Sequence, residues 1–189
     1  MLHRKTTDTA LYRFRRISVR PTTRQDLDYV LRIEHDPENA RFVVPWTPAQ
    51  HRYAVTMSDF AHWIIQAEPQ DNAVGYLMLA GLGNRDRNVE FKRLVIEEKG
   101  KGYGREALHL VEQVVFTRLR AHRLWLDVME HNERARRLYH AAGFVEEGIL
   151  RECLRVDDRY LSLVVMSKLA HEHTEALKAV DMDSLGGMR

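Results

Sequence analysis

The chain has 189 residues, 44% of them hydrophobic and 30% charged, which is enough for one core of ordinary size and too little for two comfortable domains. Its 29 basic and 27 acidic residues leave a net charge of only +2 with no long block of one sign, so nothing in the composition builds a nucleic-acid surface. The single cysteine, Cys153, excludes a disulfide within the chain and fits a reducing compartment. Residues 1–16 are rich in Arg, Lys and Thr and lack the apolar stretch of a signal peptide. The longest apolar runs, such as residues 76–80, fall far short of a membrane span. A cytoplasmic location is therefore expected, with neither nucleic acid nor membrane as partner. The histidines are scattered, and His171 and His173 lie in a polar tail, so no metal site is expected.

In chain order, residues 15–20 alternate and read as a first strand. Pro21 and Thr23 then supply a break and a cap, and Leu27, Val30, Leu31 and Ile33 recur at helical spacing up to Asp36-Pro37. Residues 37–47 read as a loop, and Pro48 opens a second helix running to about Met57. Residues 60–67, 73–82 and 89–96 read as three strands joined by polar turns. After a glycine-rich loop, Ala107, Leu108, Val111, Val114, Val115 and Leu119 mark a long amphipathic helix. A strand over 123–129, a helix over 132–142 ended by Gly143, and strands over 144–151 and 160–169 follow. Residues 170–189 read as a frayed helical tail. The order β-α-α-β-β-β-α-β-α-β-β implies a mixed α/β sheet with helices on its faces.

The sharpest local feature is Glu97-Glu-Lys-Gly-Lys-Gly-Tyr-Gly-Arg105, set between a strand and the long helix. Glycines at alternate positions permit positive backbone angles and close ligand approach. Successive amides at a helix start make an anion cradle. Lys99, Lys101 and Arg105 add positive charge where a diphosphate would sit. The bland reading is a solvated turn. A sharper rival is the dinucleotide fingerprint, since Gly102-x-Gly104-x-x-Ala107 is followed by Asp127 at the end of a strand. Against it, Glu97, Glu98 and Lys99 separate strand from glycine, and too little chain follows Asp127 for a second βαβαβ half.

At these residues the sequence resembles the GNAT superfamily of N-acetyltransferases, in particular its ribosomal-protein and polyamine acetyltransferase branch. Lys99-Gly-Lys-Gly102-Tyr-Gly104 matches the superfamily's pyrophosphate motif, with Lys in place of the leading Arg or Gln. His131-Asn-Glu-Arg-Ala-Arg-Arg-Leu-Tyr-His-Ala-Ala-Gly-Phe144 matches the Asn-x-x-Ala-x-x-Leu-Tyr-x-x-x-Gly-Phe pattern without a gap. Val19-Arg-Pro21 with Asp26-Leu27, and Glu147 to Glu152 with Arg159-Tyr160, resemble the two ends of the branch. The resemblance implies a mostly antiparallel sheet of about seven strands, splayed in the middle and flanked by about four helices. The organisation it implies is a flexible extension at 1–14, one acetyltransferase domain at 15–169 and a polar tail at 170–189.

The activity implied is transfer of acetyl from acetyl-CoA to a primary amine, either a small molecule such as a polyamine or a protein N-terminus. The alternative is a non-catalytic CoA-binding sensor or partner-binding module on the same fold. By the resemblance Tyr139 protonates the departing thiolate. Leu94, Val95 and Ile96 offer main-chain groups to pantetheine, with the Val95 N–H as oxyanion donor. Residues Lys99, Gly100, Lys101, Gly102, Tyr103, Gly104 and Arg105 hold the diphosphate, and Asn132, Arg134 and Arg137 add contacts. Read by itself, Asn132 is a helix N-cap and Tyr139 lies on an apolar stripe. An alkylamine with a pKa of about 10.4 is neutral in roughly one molecule in a thousand at pH 7, so a carboxylate base is wanted. Glu90 is the leading candidate; Glu34 and Asp36 are alternates that hold a cationic acceptor or stay ion-paired, and Trp46 and His131 line the acceptor cavity. Oligomeric state stays open, a homodimer included.

Overall fold

The computed structural model describes residues 10–176. Eight strands form one sheet in the order β1-β2-β3-β4-β5-β6-β8-β7. These are β1 (Tyr12–Phe14), β2 (Ile17–Pro21), β3 (Phe60–Ala67), β4 (Asn72–Ala80), β5 (Asn88–Ile96), β6 (Arg123–Met129), β7 (Val145–Val156) and β8 (Arg159–Leu169). Helices α1 (Leu27–His35), α2 (Pro37–Ala40) and α3 (Pro48–Thr56) precede β3; α4 (Tyr103–Gln113) joins β5 to β6, and α5 (Glu133–Ala141) joins β6 to β7. Strand alternation sorts apolar side chains onto two faces. Leu77, Leu79, Phe91, Leu124, Leu126 and Val128 pack with Ala107, Leu108, Leu110 and Val111 of α4. On the other face Val30 and Ile33 of α1 and Ala54 of α3 cover Ile64, Tyr76, Met78 and Val95.

All neighbouring strands are antiparallel except β5 and β6. That parallel pair is short: only Asn88, Val89 and Glu90 meet Arg123, Leu124 and Trp125. Beyond these the strands part, and the C-terminal half of β5 has an unpaired edge. The register against β4 also slips, from Met78 opposite Arg93 to Leu79 opposite Phe91. Lys92 is the extra residue of this bulge, which bends β5 at the point where the gap opens.

Four sequence expectations are corrected. Residues 12–14 are not an extension but a strand paired with β2; residues 1–9 lie outside those described. The loop expected at 37–47 contains α2, because Pro37 occupies the first turn and the Asp36 side chain accepts from the Glu38 N–H. The long helix does not keep one face to Leu119. A π-turn over Val114–Arg118, with the Leu119 N–H reaching the Val114 carbonyl, rotates the stripe and leaves Leu119 exposed. Strand β7 runs to Val156 rather than 151, continuing through two bulges as a hairpin with β8. Of the tail, residues 170–176 are helical and 177–189 lie outside the described residues.

Candidate active site

Residues 97–102 link the parted end of β5 to α4. Gly100 and Gly102 have φ of +80° and +85°, the left-handed region, and Gly102 is the N-cap of α4. Its carbonyl accepts the Arg105 and Glu106 amides, so the preceding N–H groups of the first turn are free to meet an anion. Arg16 braces the loop from the β1–β2 turn: its Nη2 donates to the Lys101 carbonyl at 3.0 Å, and its guanidinium pairs with the buried Glu106 carboxylate. This pairing neutralises a carboxylate beside the cradle, where its charge would repel a diphosphate. Replacing Gly102 by Ala puts a Cβ 3.2 Å from Arg16 Nη2 and costs about 1–2 kcal/mol for the left-handed backbone. Calorimetric titration of the variant is expected to show CoA affinity reduced by about tenfold.

The loop borders a cleft of about 750 Å³. Leu94 and Ile96 form its floor; Asn132, Ala135, Leu138 and Tyr139 of α5 form one wall, and Glu38, Arg41, Phe42 and Val43 the other. The walls touch where His131 Nε2 lies 3.3 Å from the Arg41 carbonyl and its ring lies 5.7 Å from that of Phe42. The Asn132 side chain caps α5 through the Ala135 N–H at 3.2 Å while facing the cleft, so its bland and functional readings coexist. Arg105 and Arg134 are exposed at the phosphate end, and Arg137 pairs with Glu133. Lys99 and Lys101 are differently placed than expected. Lys101 pairs with Glu98, and Lys99 donates to the Ile96 carbonyl and Asn39 Oδ1. Burial, aided by Arg134, lowers the Lys99 pKa.

The expected oxyanion donor, Val95, is excluded by register. The Glu97 N–H donates to the Val74 carbonyl, so the pairs one step of two along, Val95 with Tyr76 and Arg93 with Met78, also exchange hydrogen bonds across β4. The intervening Leu94 and Ile96 turn their main-chain groups toward the gap. The Ile96 carbonyl already receives Lys99, which leaves the Leu94 amide facing the gap in the place expected of Val95.

Tyr139 is buried against Phe144 and the apolar stripe of α5, yet it lines the cleft, and no residue among those described hydrogen-bonds its hydroxyl. Burial, and then the negative charge of Asp127, raises its pKa above the usual phenol value. Asp127 itself is exposed on β6, past the last β5–β6 pair. Alternation sets Asp127 on the opposite face of β6 from buried Leu126 and Val128, close enough for its charge to act on the Tyr139 phenol. Sequence reading did not weigh Asp127 as a candidate base, although it sits in the exposed phase of an alternating strand. Glu90, on β5, is still within the paired segment and is held by Lys92 Nζ at 2.8 Å.

Three further expected acceptor contacts lie elsewhere. Asp36 is the α2 cap. Glu34 has no exposed surface: it receives the Trp46 N–H at 2.9 Å, His51 Nε2 at 3.1 Å, Arg93 Nη1 at 3.1 Å and the Tyr76 hydroxyl. Burial opposes its ionisation, but the hydrogen bond from His51, the Arg93 charge and the Tyr76 and Trp46 donors hold its pKa below the usual value. Trp46 stacks under Arg93, 4.8 Å from ring centroid to guanidinium, rather than lining the cleft. His51, His62 and Thr22 continue the buried chain, with contacts of 3.1 and 2.9 Å. None of these partners follows from local sequence, because they come from α3, β3, β4, β5 and two separate loops.

The family profile described as the Acetyltransferase (GNAT) domain matches residues 16–145. The spermidine N(1)-acetyltransferase of Escherichia coli (strain K12) is 26% identical over 166 residues, which are 83% of this chain and 88% of that enzyme. The Vibrio cholerae spermidine N(1)-acetyltransferase is 34% identical over 94 residues, 49% of this chain and 54% of that enzyme's length. Among solved structures, the fold is shared with a Vibrio cholerae spermidine N-acetyltransferase in complex with CoA and spermine. That likeness has a TM-score of 0.75 and 23% identity, covering 84% of this chain and 98% of the other. With splayed strands, glycine cradle and matched profile together, this chain belongs to the GNAT family of acetyltransferases and draws on acetyl-CoA as its donor.

Proposed function

We propose that this chain acetylates a primary amine by direct attack on acetyl-CoA in a ternary complex. The observation that carries the reading is the parting of β5 and β6 after three residue pairs, with the glycine loop at one end of the gap and Tyr139 beside it. Diphosphate binds the free amides of residues 102–104 with Arg105 and Arg134 nearby, and pantetheine lies along the Leu94 and Ile96 edge as an added strand would. The amine nitrogen attacks the thioester carbon, the Leu94 N–H receives the developing oxyanion, and the C–S bond breaks. Tyr139 donates to the departing sulfur. Asp127, with Glu90 as the neighbouring alternative, takes the proton that the amine gives up.

Similarity to the Escherichia coli and Vibrio cholerae enzymes makes spermidine the first acceptor to offer, followed by N-terminal peptides. The location proposed is the cytoplasm. A free-thiol assay with acetyl-CoA against this panel tests the reading; CoA binding without thiol release, whatever amine is offered, would identify a cofactor-binding sensor instead. Exposed Cys153 is no acyl carrier in this scheme, so alkylating it should leave the rate intact. Asp127→Asn is expected to lower kcat/KM about tenfold at pH 7 and to recover as pH rises, because the free amine then forms without a base. A pH–rate profile parallel to that of the wild type would remove Asp127 from the scheme.

A further inference from the structure

Strand β8 places Val164 and Met166 on the face that α4 and α5 cover, and the next residue in that phase is a lysine. Lys168 is only 4% exposed. Its ammonium has two partners: the buried Glu112 carboxylate of α4 at 2.8 Å and the Ala142 carbonyl at 2.7 Å. His109 Nδ1 lies 3.3 Å from the other Glu112 oxygen. A buried ion pair is a poor source of net stability, since well-packed apolar residues do as well, but it imposes one geometry. Ala142 is the C-cap of α5, where the last carbonyls have no partner inside the helix. A cation at that end also meets the negative pole of the helix dipole.

The turn held in this way carries Tyr139 on one side and Phe144 on the other. Gly143 reverses the chain at a φ of +84°, and the Phe144 N–H returns to the Tyr139 carbonyl at 3.0 Å. The Phe144 ring then lies 5.8 Å from the Tyr139 ring. Because no described residue hydrogen-bonds the Tyr139 hydroxyl, packing aims the phenol, and Phe144 is one side of that packing. Building on the transferase reading above, in which Tyr139 donates to the departing sulfur, we propose that Lys168 is a positioning residue that sets the aim of Tyr139 through the 142–144 turn. Lys168 does not line the cleft, so its effect falls on the chemical step and not on CoA binding.

Lys168→Met is expected to lower kcat about tenfold, since a reacting group displaced by about 1 Å can cost about 10²-fold. The amine KM and the CoA Kd should stay within twofold. The same substitution in Tyr139→Phe protein should change kcat less than twofold, because the hydroxyl that Lys168 aims is already gone. An unchanged kcat in folded Lys168→Met protein overturns the proposal. So does an equal fall in both backgrounds, which marks a general support of the core. If the single variant fails to fold, Lys168→Met with Glu112→Leu, which leaves no carboxylate buried alone, carries the test; if neither folds, the proposal falls. Wild-type protein that binds CoA yet acetylates no amine, or Tyr139→Phe protein with an unchanged kcat, defeats the transferase reading instead. Amide exchange at Gly143 and Phe144 then decides the positioning claim alone. Acceleration confined to this turn upholds it; rates unchanged, or raised equally in β4, reject it.

Discussion

Tyr139→Phe is expected to lower kcat by about 10²–10³-fold while leaving CoA affinity within twofold of the wild type. The substitution removes one oxygen and keeps the ring that packs on Phe144 and the α5 stripe, so neither the fold nor the cleft wall loses its apolar contacts. In the proposed mechanism, what is lost is the donor to the departing sulfur. A phenol whose pKa is raised by burial and by Asp127 stays protonated throughout the working range. Against a thiol of reference pKa about 8.5, complete proton transfer from such a phenol is uphill in water. In the same apolar cleft the thiolate is desolvated too, which raises its own pKa and narrows the difference. In the proposed mechanism the hydroxyl stabilises negative charge as it appears on sulfur, an interaction absent from the ground state, so its loss is expected to fall on kcat. Steady-state kinetics combined with CoA titration check this; a rate within threefold of the wild type removes Tyr139 from its role.

Acid should destabilise the protein well above the usual carboxylate range. His62 is buried, and burial, then the neighbouring His51, pushes its pKa down to about 3 from 6.5. Between these values the unfolded chain binds a proton that the folded chain refuses, so stability falls as pH drops through about 6.5 and continues falling toward about 3. One proton corresponds to about 1.4 kcal/mol per pH unit, or about 1.5–2 kcal/mol between pH 6.5 and 5. For a chain of this size that lowers Tm by about 3–8 °C. Glu34 adds a loss in the same direction at lower pH, since its depressed pKa stabilises the fold only while the carboxylate is ionised. Thermal melts at pH 6.5 and 5 should show the drop, and His62→Gln should flatten it. The remaining slope belongs to His173, whose pKa burial also lowers. An equally steep decline in the variant would show that His62 does not govern it.

Strand and helix order, the glycine loop and Tyr139 were legible in the sequence because each is written in local pattern. Period-two alternation marks β6, a 3.6-residue stripe marks α4, and Gly100 and Gly102 declare left-handed backbone at a helix start. Register was not legible. Whether Val95 or Leu94 turns its amide to the gap depends on which β4 residue stands opposite, and one extra residue at Lys92 resets that relation. Nor could the sequence assign Glu34, a carboxylate at an apolar helical position whose His, Arg and Tyr partners come from α3, β5 and β4. By itself, then, the sequence determined the class of fold, the anion cradle and the phenol at the cleft, since all three follow from neighbours along the chain. The tertiary structure alone decided which β5 amide faces the gap, that Asp127 comes near Tyr139, and that Glu34 is buried holding the Trp46 amide. Hydrogen-bond direction and charge pairing across a sheet depend on segments far apart in sequence arriving at one register.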